Sequence, residues 1–183
     1  MYREQIEAYF EAHREEMVRD IMDLVSIRSV DEAAKPGKPY GDGPAAALDA
    51  ALKLAEGYGF SDVKNVDNYV GTVTMGPEDV LLGILAHLDV VPEGKGWTVC
   101  APYKPVVADG RIYGRGSSDD KGPAVAALYA LRCIQDLGLP LKRGVRLILG
   151  TAEETGSSDI EYYFKKESAP QMVFSPDGDY PIL

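Results

Sequence analysis

A continuous apolar run at residues 80–86 and a second, largely apolar segment at residues 145–149 constrain the fold of this chain more than any other feature of its sequence. An unbroken apolar run of this length is typical of a strand that is covered on both faces. Segments with helical spacing of apolar residues alternate with such runs along the chain, and this alternation predicts parallel strands joined by helices. The sequence therefore predicts an α/β domain of three layers, αβα, with a mixed, mostly parallel central sheet flanked by helices.

The remaining elements follow from apolar periodicity and from turn residues. Four helices are predicted: residues 3–26, residues 44–57 with Pro44 in the first turn, residues 122–137, and a helix capped by Ser158 or Asp159 that runs to about residue 166. Shorter strands are predicted at residues 63–66, 69–75 and 172–174. The Asp109-Gly110 pair between apolar residues predicts a hairpin over residues 105–113.

Length, composition and charge limit the classes of partner. With 183 residues, the chain has the size of one domain with a buried core. Its net charge of -10 argues against nucleic-acid and anionic-membrane partners, because both need a basic face. No apolar stretch approaches the roughly 20 residues of a membrane span, and the N-terminus lacks the apolar segment of a signal peptide. Because two cysteines are too few for a disulfide framework, we expect a cytoplasmic protein.

Acidic and imidazole residues form four ordered groups, each just after a run that is predicted to be a strand. The groups are His87-Leu88-Asp89, Asp119-Asp120, Glu153-Glu154 and Asp177. Residues at strand ends in an open α/β sheet converge on the crevice where ligands bind. One imidazole with several carboxylates is a ligand set for one or two divalent metals, with zinc the leading candidate. The other histidine, His13, lies in the first predicted helix, so a second imidazole ligand would have to come from outside this sequence.

Each group also has an ordinary structural explanation when it is taken singly. A lone histidine after a strand is more often structural than a ligand. Asp89 makes a ligand role for His87 more plausible, because two side chains at positions i and i+2 of an extended backbone point to the same face. Asp89 can therefore hold the ring nitrogen that does not bind metal.

The other acidic groups have similar alternatives. One residue of Asp119-Asp120 could be the N-cap of the helix that follows. The glycines before this pair could cradle a phosphate, but no Gly-Lys-Ser/Thr follows and acidic residues would repel a phosphate. Glu153 and Glu154 could form an acidic loop or, beside a metal, divide the binding of the ion from proton transfer. Asp177 fits an ordinary turn.

Taken together, the motifs resemble the dinuclear zinc peptidases of the M20 family, and most of all its bacterial dipeptidases of the PepV and Xaa-His dipeptidase (carnosinase-like) branch. The motifs are AHLDVVP at 86–92, YGRGSSDDKG at 113–122, TAEETGS at 151–157 and SPD at 175–177. The resemblance covers nearly the whole chain, in order and at family-like spacing.

The resemblance implies a role for each residue. The implied metal ligands are His87, Asp119, Glu154 and Asp177. Asp119 would bridge two zinc ions, His87 and Asp177 would share one of them, and Glu154 would bind the other together with a distal histidine. Glu153 would be the general base, Asp89 would orient His87, and a cis peptide would join Asp119 to Asp120. The implied reaction is hydrolysis of dipeptides or small peptides by a zinc-activated bridging water.

Members of this family continue past the Asp177 segment into a lid domain and return to the catalytic domain with a further histidine ligand. We therefore expect residues 1–183 to be the N-terminal portion of an M20 catalytic domain, without the lid and the C-terminal catalytic segment. We also expect zero or one metal ion in this chain, little or no activity by itself, and self-association through the uncovered sheet.

Two alternative functions remain open. The M20 scaffold also hosts deacylases of N-acyl amino acids, and the residues that separate these from dipeptidases lie mostly in the lid. The chain could also be a non-catalytic metal-binding remnant. Metal titration of site variants separates this last class from the enzymes.

Overall fold

A five-stranded sheet forms the centre of the structure, a computed structural model that describes residues 2–178. The strands of the chain are β1 (Asp62–Val66), β2 (Val70–Met75), β3 (Val80–His87), β4 (Val106–Ala108), β5 (Arg111–Tyr113), β6 (Gly144–Gly150) and β7 (Met172–Phe174). The helices are α1 (Arg3–Val25), α2 (Asp42–Gly57), α3 (Lys121–Asp136) and α4 (Ser158–Phe164), with a 3-10 helix at Glu153–Thr155. β4 and β5 pair only with each other, as the predicted hairpin.

The order of strands in the central sheet is β1-β2-β6-β3-β7. β3 lies between β6 and β7 and is parallel to both, whereas β2 is antiparallel to β1 and to β6. Four strands therefore run in one direction and only β2 runs against them, which confirms the predicted mixed, mostly parallel sheet. In the register of the parallel half, His87 lies opposite Gly150, and Ile84 lies opposite Phe174.

Helices cover both faces of the sheet, so the predicted three-layer arrangement is confirmed. One face packs against α1, α2 and α3, and its buried residues include Val73, Ile84, Leu147 and Leu149. The opposite face carries a smaller cluster around Val70, Ile148 and Tyr163, to which only α4 contributes a helix. None of the helices within residues 2–178 is long and apolar enough to cross a membrane.

Two predicted helices, α2 and α4, differ from the structure by more than one residue at a boundary. α2 begins at Asp42 rather than Pro44, because the first N–H groups of a helix need no partner within it and proline is tolerated there. α4 is shorter than predicted, and Ser157 rather than Ser158 or Asp159 occupies its N-cap position. The carboxylate of Asp159 is instead bonded to backbone N–H groups that include those of Thr151 and Ala152.

Candidate metal centre

The carboxyl ends of three parallel strands deliver the predicted site residues to one crevice. β3 ends at His87, β6 leads into Glu153 and Glu154, and β7 leads within three residues to Asp177. Asp119 enters from the turn before α3. The structure thus brings the four sequence groups to the same edge of the sheet, as expected for strand ends in an open α/β sheet.

Three of these side chains form a compact group of possible ligands. His87 Nε2 lies 3.0 Å from Asp119 Oδ1 and 3.5 Å from Asp177 Oδ2, and one ligand atom from each residue lies within 4.8 Å of the other two. His87 is buried, whereas Asp119 and Asp177 are exposed. Glu153 Oε2 lies 4.0 Å from His87 Nε2, beside the group. The imidazole therefore forms the floor of a crevice with carboxylates at its mouth.

The donor set fits a divalent cation. Zinc binds nitrogen and oxygen ligands at about 2.0–2.2 Å in a tetrahedron, so neighbouring ligands are roughly 3.3–3.6 Å apart. The separations from His87 to Asp119 and Asp177 are close to this range. Three protein ligands with a position left open is also the arrangement of catalytic zinc sites. The same donors suit other divalent first-row metals, so they define the class of ion rather than the element.

Glu154 lies outside the compact group but close to Asp119. Burial raises the pKa of Glu154, and the negative charge of Asp119 is the largest of the nearby charges that raise it further. Asp119 therefore contacts His87 and is near enough to Glu154 for its charge to act on that carboxyl group.

Asp89 is buried and contacts both the His87 ring and the Glu153-Glu154 backbone. The Nδ1 of His87 lies 3.1 Å from the backbone oxygen of Asp89 and 3.3 Å from its Oδ1. The two carboxylate oxygens of Asp89 also accept the backbone N–H groups of Glu153, at 3.1 Å, and Glu154, at 3.0 Å. The contact to the His87 ring agrees with the geometry expected from the i, i+2 spacing. The hydrogen bonds to the Glu153-Glu154 backbone were not predicted.

The acidic surroundings change the protonation of His87. Burial lowers the pKa of the imidazole, but the hydrogen bond to Asp89 and the charges of Asp89, Asp120 and Asp119 outweigh that effect and raise the pKa to about 10. The ring therefore carries two protons at neutral pH unless a cation replaces one of them.

Asp120 is a site residue that the sequence did not single out. It occupies the N-cap position of α3 but makes no side-chain capping bond. Its carboxylate points inward, where Oδ2 accepts the backbone N–H of His87 at 3.0 Å and Oδ1 has no hydrogen-bond partner among the described residues. Burial raises the pKa of Asp120 to about 7. The peptide bond between Asp119 and Asp120 is cis, as predicted.

Lys121 was also missed, because a lysine in the first turn of a helix ordinarily lies at the surface. Here it is fully buried, and its Nζ donates to the backbone oxygens of Leu24, at 3.1 Å, and Ile27, at 2.6 Å. These bonds join the start of α3 to the end of α1. The next residue must be glycine, since a Cβ at Gly122 would lie 2.1 Å from the Ser117 oxygen.

A cavity of about 280 Å³ adjoins the compact group. His87, Glu153 and Asp177 contribute to its wall, together with apolar side chains that include Leu85 and Ile160. The crevice therefore offers both charged donors and apolar surface to a bound molecule.

The fold is similar to that of solved peptidases. Human carnosine dipeptidase 1 superimposes with a TM-score of 0.82 at 24% sequence identity, over 97% of this chain and 41% of that protein. The dipeptidase Dug1p of Saccharomyces cerevisiae gives a TM-score of 0.76 at 18% identity, over 94% of this chain and 40% of that protein. At these identities the likeness concerns the fold alone.

Curated relatives are more similar in sequence. The putative dipeptidase YtjP of Bacillus subtilis (strain 168) is 45% identical over 172 residues, which are 93% of this chain and 37% of YtjP. The Beta-Ala-Xaa dipeptidase of Lactobacillus delbrueckii subsp. lactis is 43% identical over 176 residues, 94% of this chain and 37% of the relative. The chain thus spans little more than a third of these relatives.

Residues 83–180, just over half of the chain, match the model of peptidase family M20/M25/M40. This range contains every member of the candidate metal centre, from His87 to Asp177. The chain therefore belongs to peptidase family M20/M25/M40.

Proposed function

We propose that this chain is the N-terminal portion of the catalytic domain of a zinc-dependent dipeptidase. The observation that carries the proposal is the compact group of His87, Asp119 and Asp177 with the carboxylate of Glu153 beside it. The names of the relatives YtjP and Beta-Ala-Xaa dipeptidase support a dipeptide or small peptide as substrate. A lid domain and a further catalytic segment would belong to the longer protein.

In this proposal, His87, Asp119 and Asp177 would hold one zinc ion. Asp119 would also contribute to a second ion, together with Glu154 and a histidine from the longer protein. When bound, the metal supplies Lewis acidity, which lowers the pKa of water and polarises a carbonyl group. Asp89 keeps the Nε2 of His87 directed toward the metal position by holding the opposite ring nitrogen.

Glu153 is the proposed general base. Its carboxylate takes a proton from water while the water oxygen forms a bond to the amide carbon. The carbon–nitrogen bond then breaks, and Glu153 returns the proton to the leaving nitrogen. Its position is supported by the backbone N–H of Glu153, which is fixed on Asp89 so that the side chain starts from a defined point near His87.

Zinc titration of this chain by calorimetry tests the metal site. We expect the wild-type chain to bind zinc, Asp119→Ala to lose tight binding, and Glu153→Ala to retain it, because only Asp119 is a proposed ligand. A wild-type chain without zinc affinity would refute the site. Equal loss in both variants would refute the division of roles between Asp119 and Glu153.

Hydrolysis assays on the longer protein test the reaction. We expect Glu153→Gln to abolish dipeptide hydrolysis while zinc content is unchanged, and we expect this chain alone to have little or no activity. Cleavage of N-acyl amino acids in preference to dipeptides would instead identify a deacylase. Zinc binding without hydrolysis of either class by the longer protein would identify a non-catalytic metal-binding domain.

We also propose that this chain self-associates when it is alone. β7 is an edge strand of the sheet, and its three side chains, Met172, Val173 and Phe174, are exposed. An open edge with apolar side chains recruits another strand, and the occupant proposed here is β7 of a second copy.

A cytoplasmic location is proposed as well, and the free thiols of Cys100 and Cys133 support it, since thiols persist in reducing compartments.

A further inference from the structure

We infer that Asp159 is a positioning residue that fixes the Glu153-Glu154 segment for metal binding and proton transfer. The inference rests on the proposed function. Asp159 is fully buried, and its Oδ2 accepts the backbone N–H groups of Thr151, at 2.6 Å, and Ala152, at 3.1 Å. The next two N–H groups, of Glu153 and Glu154, are bonded to Asp89.

Two buried carboxylates thus hold four successive backbone N–H groups. β6 ends at Gly150, and the following 3-10 helix, like any helix, has no partners of its own for its first N–H groups. A buried N–H group without a partner is unfavourable, so this segment depends on acceptors from elsewhere in the chain. Asp159 supplies the first half of them and Asp89 the second. Together they determine where the side chains of Glu153 and Glu154 begin.

The hydrogen bonds of Asp159 indicate that its carboxylate acts as an acceptor for backbone N–H groups. Its hydrogen bonds are all to backbone N–H groups, the third being that of Ile160 at 2.8 Å. Asp159 also lies in the wall of the cavity that His87 and Glu153 border. Its hydrogen bonds to the backbone of Thr151 and Ala152 are therefore the route by which it would act on the Glu153-Glu154 segment.

Gly150 provides an independent indication of this arrangement. A Cβ at Gly150 would lie 2.7 Å from Asp159 Oδ2, the oxygen that binds Thr151 and Ala152. Any larger residue at position 150 would displace that oxygen. Gly150 and Asp159 therefore form a steric pair, and either member can be changed to disturb the same contact.

The first measurement is amide hydrogen exchange of residues 151–154 in Asp159→Asn and Gly150→Ala. If Asp159 positions the segment, all four N–H groups exchange at least about tenfold faster than in the wild type, including the two that are bonded to Asp89. Acceleration confined to Thr151 and Ala152 would overturn the inference. Gly150→Ala also serves if Asp159→Asn does not fold.

The second measurement is the zinc affinity of the longer protein, which supplies the histidine that the ion proposed for Glu154 needs. We expect Asp159→Asn to weaken binding about tenfold, as is typical for residues that support metal ligands. In a Glu154→Gln background the same change should have no further effect, because both act on one ligand. In an Asp177→Asn background it should keep its full effect, because Asp177 belongs to another strand.

Leu52→Ala is the control for loss of stability, since Leu52 is a buried residue of α2 on the opposite side of the sheet from α4. It should lower the unfolding midpoint and leave zinc affinity unchanged. Unchanged zinc affinity of the longer protein with Asp159→Asn, when that variant is folded, would overturn the inference and leave the proposed function intact. If the wild-type chain binds no zinc, the proposed function fails, and the exchange rates alone decide the role of Asp159.

Discussion

The Nε2 of His87 lies at hydrogen-bonding distance, 3.0 Å, from Oδ1 of Asp119. A proton on the imidazole satisfies this contact, and a divalent cation between the two atoms would satisfy it in another way. Proton and metal therefore compete for the same position. The outcome of this competition depends on pH.

Zinc binding should strengthen as the pH rises through neutrality. Because the pKa of His87 is about 10, a metal ion that binds near neutral pH must displace a proton from the ring. The dissociation constant for zinc should fall about tenfold for each pH unit. Calorimetry in buffers with different ionisation enthalpies should detect release of roughly one proton per ion.

Asp89→Asn provides the comparison for this prediction. The variant loses the largest of the influences that raise the pKa of His87, so fewer protons should be released and the dependence on pH should flatten. An affinity for zinc that does not change between mildly acidic and neutral pH would contradict the assigned protonation of His87.

Lys121→Met should destabilise the chain, and more so at higher pH. The variant removes the Lys121 donor from the backbone oxygens of Leu24 and Ile27, of which the Leu24 oxygen keeps the N–H of Ile27, at a cost of about 1–3 kcal/mol. Burial lowers the pKa of Lys121 to about 7, and Asp89 offsets only part of that effect. Between this value and the ordinary pKa of 10.5, the unfolded chain binds more protons than the folded chain, so the contribution of Lys121 to stability rises with pH.

Urea unfolding near neutrality and about two pH units higher measures the effect. Lys53→Met is the matched control, because Lys53 is exposed and paired only with Asp49, and it should change stability little. A loss in Lys121→Met that shrinks as the pH rises would contradict the prediction.

Asp20→Ala should lower the free energy of unfolding by about 2–3 kcal/mol. The Oδ2 of Asp20 accepts hydrogen bonds from the hydroxyl groups of Tyr58 and Tyr129, and Tyr129 is fully buried. Without the carboxylate, the hydroxyl groups of Tyr58 and Tyr129 can form a hydrogen bond only with each other. Chemical denaturation measures the change, with Asp23→Ala as the exposed control on the same helix. The loss should largely disappear when both tyrosines are phenylalanine.

Met172→Lys should reduce self-association of the chain. Met172 is 58% exposed on the edge strand β7, so a charge at this position opposes strand pairing without disturbing the core. Val107→Lys is the control, since Val107 is 53% exposed on a strand outside the central sheet. Sedimentation at micromolar concentration should show association of the wild type and of Val107→Lys, but not of Met172→Lys. Association of all three would exclude the β7 edge.

The sequence was sufficient to predict features that depend on local spacing. The i, i+2 relation of His87 and Asp89 predicted that both would point to one face, and their side chains are in contact. The apolar run before His87 predicted a strand end at this position, which is where β3 ends. Such features need only the periodicity of an extended chain.

Features that depend on distant packing could not be predicted in the same way. Lys121 is buried because it reaches Leu24, which is 97 residues away in sequence. In the sequence, Asp159 is as compatible with a helix N-cap as with any other role. Its hydrogen-bond partners become evident only when β6 and α4 are in place. Asp120 likewise cannot be distinguished from Asp119 in the sequence, although Asp120 is buried and Asp119 exposed in the structure.

Asp177 reaches the centre through the weakest attachment of the parallel strands. Within residues 2–178, β7 pairs with β3 at three positions and has no strand on its other side, whereas β3, which carries His87, is paired along both edges. A short edge strand opens at a low free-energy cost. Any cation that binds His87 and Asp177 together would therefore stabilise the pairing of β7 with β3. Its apparent affinity would be lower than its affinity for the paired state, because binding must also keep β7 in place. Separation of β7 from β3 and release of the ion are therefore thermodynamically linked, and each favours the other.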